Sequence, residues 1–154
     1  MSAGRRGVGG KGAAEYGADA AAHLVGITPR QVRYWALTGV AGPGRVTGAG
    51  FARRSYYRYE DVLRLALVQR LVAAGLSLDL TRGKLGCLAA LPRTEEGLAR
   101  AYLVSAGGGI ELRHGLDEVL GVIRLGGLVV VCSVAEVARA LDQRMEQAAF
   151  GLTA

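Results

Sequence analysis

The stretch HLVGITPRQVRYWALTGV, residues 23–40, decides the fold of the N-terminal half of this chain. It overlaps the alanine-rich segment Ala18–Val25, which favours a short helix because alanine has the highest helix propensity. Gly26 follows at a position suited to a left-handed helix stop. The sequence therefore predicts a first helix that ends in a tight turn.

A second helix is predicted immediately after that turn. Thr28 places a capping hydroxyl before a proline at the first helical position, and Gln31 stands three residues after the cap, as in a capping box. The helix should run from Pro29 to about Thr38, because Gly39 can adopt the left-handed conformation that closes a helix. Two helices joined by a short glycine turn indicate a helix-turn-helix.

The second helix has two different faces. Val32, Trp35 and Ala36 share one side at helical spacing and should face the core. The other side is basic and polar and carries Arg30, Arg33 and Tyr34. On an isolated helix such a face would be ordinary solvated surface, but on the second helix of a helix-turn-helix it is predicted to contact DNA.

A glycine-rich stretch, residues 42–50, leads into FARRSYYRY, residues 51–59. The latter is rich in aromatic and basic residues without helical periodicity, and we interpret it as a two-stranded wing with a flexible tip. Alternation along a strand puts Tyr57 and Tyr59 on a core face, and Tyr56 and Arg58 on a face that can meet phosphate.

Helical periodicity returns at Glu60 and continues to about Gly75. Ser77 is a plausible cap for a further helix through Leu91, stopped by Pro92, and residues 93–100 act as a linker or a short helix. The last third predicts a second unit with the order ββαβα. Its segments are Tyr102–Val104, Ile110–Arg113, Leu116–Arg124 before a Gly126-Gly127 stop, a buried strand Leu128–Cys132, and an amphipathic helix from Ala135 to about Gln147.

The predicted fold class is therefore α+β, with a winged helix-turn-helix domain followed by a small ββαβα domain. We expect a flexible basic tail over residues 1–14, the first domain over 15–92, a linker over 93–100 and the second domain over 101–154. The second unit is too small to bury much surface alone, so it should pack on the first domain or on a second copy of itself.

Charge points to an anionic partner for the first domain. The 154 residues carry 19 basic and 13 acidic side chains, a net charge of +6. Residues 1–100 hold 15 basic and 7 acidic groups, whereas the remainder holds 4 and 6. Anion binding is therefore expected in the N-terminal part.

Composition also limits the function classes. Cys87 and Cys132 are too far apart in sequence for a metal clamp, and we expect no metal and no cofactor. The longest apolar run is too short to cross a bilayer and no signal peptide is apparent, so a cytoplasmic protein without membrane contact is expected. The sequence does not indicate a Ser/His/Asp catalytic triad or a catalytic pair of carboxylates, and we predict no enzymatic activity.

Several of these segments together resemble the DNA-binding domain of the MerR family of bacterial transcription regulators. The similarity lies in Val32-Arg33-Tyr34-Trp35, the closing Gly39, residues 57–62 (YRYEDV) and the step Ala74-Gly75-Leu76-Ser77-Leu78. It covers roughly residues 16–91. The C-terminal part is similar to the short α/β domain of actinobacterial members of the FtsR type.

The resemblance implies a winged helix-turn-helix that binds double-stranded DNA as a homodimer. The candidate DNA-binding residues lie on the second helix and the wing: Thr28, Arg30, Gln31, Arg33, Tyr34, Arg45, Arg53, Arg54, Tyr56 and Arg58. The family's wing arginine would fall on Ser55, next to Arg54, so either Arg53 or Arg54 takes over its phosphate contact, and we favour Arg54. Because Pro92 interrupts the helix, the family's long dimerisation coiled coil is missing, which leaves the C-terminal unit to dimerise the protein or to bind an effector or another protein.

Three functions remain open from the sequence. The first is a dimeric, sequence-specific transcription regulator. The second is an architectural or accessory DNA-binding protein of the excisionase type. The third is a protein-interaction adaptor whose basic surface binds an acidic partner. DNA binders of the first two kinds should lose affinity steeply with salt, which an adaptor need not do.

Overall fold

The computed structural model describes residues 14–77, 85–107 and 109–151. The predicted tail therefore lies outside the described residues apart from Ala14. The helices are α1 (Ala18–Val25), α2 (Pro29–Leu37), α3 (Tyr59–Ala73), α4 (Glu95–Ala99), α5 (Leu116–Arg124) and α6 (Val134–Gly151). The strands are β1 (Arg45–Thr47), β2 (Arg54–Tyr56), β3 (Ala101–Ala106), β4 (Gly109–His114) and β5 (Val129–Ser133).

The predicted helix-turn-helix is confirmed, and local hydrogen bonds explain its boundaries. Gly26 closes α1 at φ +80°, and its N–H donates to the carbonyl of Ala22. The Thr28 N–H donates to Oε1 of Gln31 at 3.1 Å, and the Gln31 N–H donates to Oγ1 of Thr28 at 3.1 Å. This reciprocal pair satisfies two of the donors that every helix start leaves free.

The wing is present, but its first strand lies upstream of the predicted segment. β1 comes from the glycine-rich stretch and pairs antiparallel with β2, with Arg45 opposite Tyr56 and Thr47 opposite Arg54. Residues 51–59 supply only the second strand, because residues 50–52 form a 3-10 turn at the tip. Gly48 makes this turn possible: it has φ +73°, and an added Cβ would lie 2.3 Å from the Ala52 carbonyl oxygen.

Helix α3 is largely buried, as its periodicity predicts, and begins one residue early at Tyr59. The buried carboxylate of Asp61 accepts from the Arg58 N–H at 2.9 Å and pairs with Nη1 of Arg64 at 3.2 Å. The predicted helix from Ser77 to Leu91 falls partly outside the described residues. Its end is wrong, because residues 85–90, which include a glycine, form a 3-10 helix rather than an α-helix.

The C-terminal unit has the predicted order ββαβα. Its three antiparallel strands lie in the order β4-β3-β5, and α5 packs on all three. Leu103 of β3 belongs to the main hydrophobic core, whereas Val104 and Val119 are buried outside it. Successive residues of a strand point to opposite faces, so α5 covers the face of the sheet that looks away from the main core.

The predicted strand at Leu128–Cys132 is present but shifted by one residue, and the expectation that it is buried is wrong. The strand is Val129–Ser133, and it lies at an edge of the sheet, where β3 is its only neighbouring strand within the described residues. Leu128 follows two glycines in left-handed conformations and is 89% exposed. An apolar run predicts a strand, but it does not reveal whether that strand lies in the middle of a sheet or at its edge.

Helix α6 joins the two halves of the molecule. It extends beyond the predicted segment and packs against α1 and α3 of the helix-turn-helix domain. Val134, Val137 and Leu141 of α6 are buried in the same hydrophobic cluster as α3. Nη1 of Arg144 donates to the carbonyl of Leu24 at 3.1 Å. The expectation that the small unit packs on the first domain is confirmed.

Candidate nucleic-acid interface

The outer face of α2 is exposed, and it is polar except for Leu37 at its end. Val32 and Trp35 are buried, as predicted for the core face. Arg30, Arg33 and Tyr34 on the other face are exposed. The helix thus presents two guanidinium groups and a phenol to solvent, the side chains suited to base edges and phosphate oxygens.

A cleft of about 630 Å³ lies between this helix, the start of α1 and the wing. Arg33 lines one side of it, while Arg53 and Arg54 line the other. Both wing arginines are exposed. Three guanidinium groups that come from two separate elements therefore surround one open cleft, which is an arrangement that attracts an extended anion.

Asp19 of α1 forms an ion pair with Arg33 of α2. Nη2 of Arg33 lies 3.2 Å from Oδ1 of Asp19, and the two side chains are 62% and 78% exposed. A pair this open to solvent is weak, worth roughly 0.2 to 1 kcal/mol. A ligand that offers more negative charge can therefore compete for Arg33.

A second carboxylate, that of Glu15, pairs with two arginines, one on β1 and one at the start of α3. Nη2 of Arg45 lies 2.5 Å from Oε2 of Glu15, and Nε of Arg58 lies 3.8 Å from Oε1 of the same carboxylate. The guanidinium of Arg45 also stacks over the Tyr56 ring, 4.0 Å from its centre. The hydrogen bond from Arg45 lowers the pKa of the Glu15 carboxyl below its ordinary value.

The position of Glu15 depends on a backbone contact between distant parts of the chain. The Tyr16 N–H donates to the Tyr57 carbonyl and the Tyr57 N–H donates to the Tyr16 carbonyl, both at 2.8 Å. Tyr57 is buried, and burial raises the pKa of its phenol. This bridge fixes the segment before α1 against the end of the wing and places Glu15 beside Arg45.

The ten sequence-predicted residues thus fall into four groups. Arg33, Arg53 and Arg54 meet at the cleft. Arg45, Tyr56 and Arg58 gather around Glu15. Thr28 and Gln31 bind each other as a helix cap, and Arg30 and Tyr34 lie exposed on α2.

Sequence reasoning missed Glu15 and Asp19, the acidic partners of these arginines. Glu15 lies 30 positions before Arg45 and Asp19 lies 14 before Arg33. No local spacing rule links residues so far apart. Asp19 does stand in the first turn of α1, where an acidic residue is expected for its effect on the helix dipole alone.

No helix among residues 14–77, 85–107 and 109–151 is long and apolar enough to span a membrane.

Comparison with known proteins supports a helix-turn-helix assignment. Residues 16–85 match a family model described as the MerR HTH family regulatory protein. The matched range contains α1, α2, the wing and α3, and so includes all of the residues around the cleft.

Full-length relatives extend the similarity into the C-terminal unit. Proteins named as uncharacterized HTH-type transcriptional regulators from Mycobacterium tuberculosis and Mycobacterium bovis are 31% identical over 126 residues. The alignment covers 82% of this chain and 55% of each relative. The chain thus spans about half the length of the curated relatives it matches.

Proposed function

Because the chain belongs to the MerR family of helix-turn-helix regulatory proteins through residues 16–85, we propose that it is a sequence-specific DNA-binding transcription regulator that acts as a dimer. The observation that carries the proposal is the cleft between α2 and the wing. Arg33, Arg53 and Arg54 converge there from two elements, next to the exposed polar face of a helix-turn-helix. Double-stranded DNA is the partner that such a surface fits.

In this proposal α2 enters the major groove. Arg30 and Arg33 then offer planar forks to guanine edges or to phosphate oxygens, and Tyr34 offers a hydroxyl to phosphate. The Thr28–Gln31 cap fixes the start of α2, since both side chains are engaged with each other's backbone N–H groups. These two residues position the helix rather than read bases.

The wing contributes contacts to the sugar-phosphate backbone. Arg53 and Arg54 stand at the cleft, while Arg45 and Arg58 stand together at Glu15. Arginines on a wing grip phosphate and set the register of the protein without reading sequence. Of the two cleft residues we favour Arg54, because β2 holds its backbone opposite Thr47.

Asp19 adjusts how strongly the protein binds DNA. Asp19 lies beside Arg33 and must give up that ion pair, or share it, when Arg33 binds DNA. Its negative charge also repels nearby phosphates. The pair orients Arg33 in the free protein and moderates non-specific attraction to DNA, which acts mainly through charge.

A dimer is proposed because a two-fold protein can occupy two half-sites of an operator. The second domain, residues 101–154, is the part we assign to dimerisation or to binding an effector or another protein. As a regulator of a bacterial chromosome, the protein would act in the cytoplasm without a cofactor and without catalysis.

Selection of bound duplexes from a random-sequence library tests the proposal. The full chain should enrich one motif made of two inverted half-sites, and Arg33→Ala should enrich it poorly. Cooperative coverage of several direct repeats would favour the accessory DNA binder instead. Failure to enrich any sequence would contradict a sequence-specific regulator.

A further inference from the structure

Helix α5 exposes an apolar face that nothing in the described chain covers. Val119 is buried against the sheet, whereas Leu116, Leu120 and Ile123 are 62%, 45% and 47% exposed. Residues spaced by four and by three positions lie on one side of a helix. The three side chains therefore form a continuous line, the α5 stripe.

The surroundings of the stripe are apolar too. Leu125 and Leu128, in the connection that follows α5, are exposed. Val131 of the edge strand β5 lies opposite Val104, on the face of the sheet that α5 covers, and is also exposed. Scattered apolar residues on a surface are ordinary, but a contiguous group of this kind marks an interaction site.

We propose that the α5 stripe is the dimer interface, with α5 of a second copy packed antiparallel across it. The inference rests on the dimeric regulator proposed above and names the surface that joins the two subunits. A two-fold axis close to Leu120 brings the same stripe of both copies together, as an isologous interface requires.

Charges beside the stripe identify the occupant as a second copy. Asp117 precedes Leu120 by three residues and Arg124 follows it by four, so both flank it on the same side of the helix. In an antiparallel pair, Asp117 faces Arg124 of the partner subunit, and symmetry repeats this contact. Parallel packing would place like charges together. Neither residue makes an ion pair with another described residue.

The position of α5 also leaves the DNA-binding surface free. The helix packs on β3, β4 and β5, on the face of the sheet that looks away from the main core. Residues 101–154 hold four basic and six acidic side chains, whereas residues 1–100 hold 15 basic and seven acidic ones. Association through the C-terminal unit therefore avoids bringing two strongly basic domains face to face.

Sedimentation of the full chain at micromolar concentration tests the interface. The wild type should be a dimer, and Leu120→Asp should be a monomer. This change removes apolar contact and places a carboxylate in both halves of the interface, so dimerisation should weaken by at least about a hundredfold. Phe51→Asp is the matched control: it alters an exposed apolar side chain at the wing tip and should remain dimeric.

Charge reversal tests the antiparallel arrangement with substitutions that an exposed surface tolerates. Asp117→Arg alone and Arg124→Asp alone each place like charges across the interface twice, and each should weaken dimerisation by about tenfold. The double variant restores opposite charges and should recover the wild-type affinity. Lack of recovery would contradict the antiparallel packing.

A wild type that stays monomeric, or a Leu120→Asp variant that stays dimeric, would overturn the inference. DNA binding is measured separately, with a duplex that carries one half-site. Leu120→Asp should bind this duplex like the wild type, whereas Arg33→Ala should remain a dimer and bind it weakly. Failure of the interface and failure of the proposed function therefore give different results.

Discussion

Replacement of Arg33 by alanine is the sharpest test of how α2 uses its polar face. The side chain lies on the exposed face of the helix, at the cleft, and 3.2 Å from Asp19. A charge-assisted or bidentate contact to DNA is worth roughly 1 to 3 kcal/mol. The ion pair with Asp19 offsets part of this, because it is broken or shared on binding and contributes roughly 0.2 to 1 kcal/mol.

The expected net loss for Arg33→Ala is therefore about 1 to 2 kcal/mol, or roughly five- to thirtyfold in affinity. Asp19→Asn should act in the opposite direction and tighten binding by a few fold, since it removes both the competing carboxylate and a charge that repels phosphate. In the Arg33→Ala background the same change should help less, and the difference measures the coupling between the two residues.

Fluorescence anisotropy with the selected duplex measures these affinities, and circular dichroism checks that each variant is folded. Arg139→Ala on α6 is a suitable control, because Arg139 also forms an exposed ion pair, with Glu136, but does not line the cleft. Unchanged affinity of Arg33→Ala would refute the role given to α2. Weaker binding by Asp19→Asn would refute the proposed competition.

Three further predictions concern the wing, the start of α3 and the response to high pH. Arg54→Ala should weaken binding to specific and random duplexes about equally and lower the salt slope by about one, and a larger effect from Arg53→Ala would reverse our choice between them. Asp61→Ala should lower the free energy of unfolding by roughly 1 to 3 kcal/mol in urea titrations, because it removes a cap and leaves Arg64 without its ion pair; an unchanged midpoint would contradict this. Burial raises the pKa of Tyr57 and of Tyr59 above the ordinary value of 10.0. The unfolded chain therefore releases these protons first, so stability should fall as the pH rises above about 10, and replacement of both tyrosines by phenylalanine should flatten that fall.

Local signals explain why the helix-turn-helix could be predicted closely. The first helix has the predicted bounds, Ala18–Val25, and the second ends one residue short of Thr38. Caps and glycine stops act within a few residues of each helix end, so the local sequence is enough to predict where these helices begin and end. The buried Trp35 and the exposed Arg33 follow from helical periodicity in the same way.

Most of the failures involve contacts between distant parts of the chain. Whether β5 is buried depends on how many strands and helices surround it. The apolar sequence of the strand contains no information about these neighbours. The first wing strand was not predicted, because it lies in a glycine-rich stretch. Pairing with β2, rather than local strand propensity, holds Arg45–Thr47 in place. Glu15 reaches Arg45 only because Tyr16 bridges to Tyr57.

The salt dependence of DNA binding tests the central claim most directly. For the full chain and its selected duplex, the logarithm of the binding constant should fall linearly with the logarithm of salt concentration, with a slope of about −0.9 for each phosphate neutralised. Joint replacement of Arg33, Arg53 and Arg54 by alanine should make the slope shallower by about two to three units. A wild-type affinity that does not change with salt, or a slope that the triple variant leaves unchanged, would contradict the assignment of this cleft to DNA.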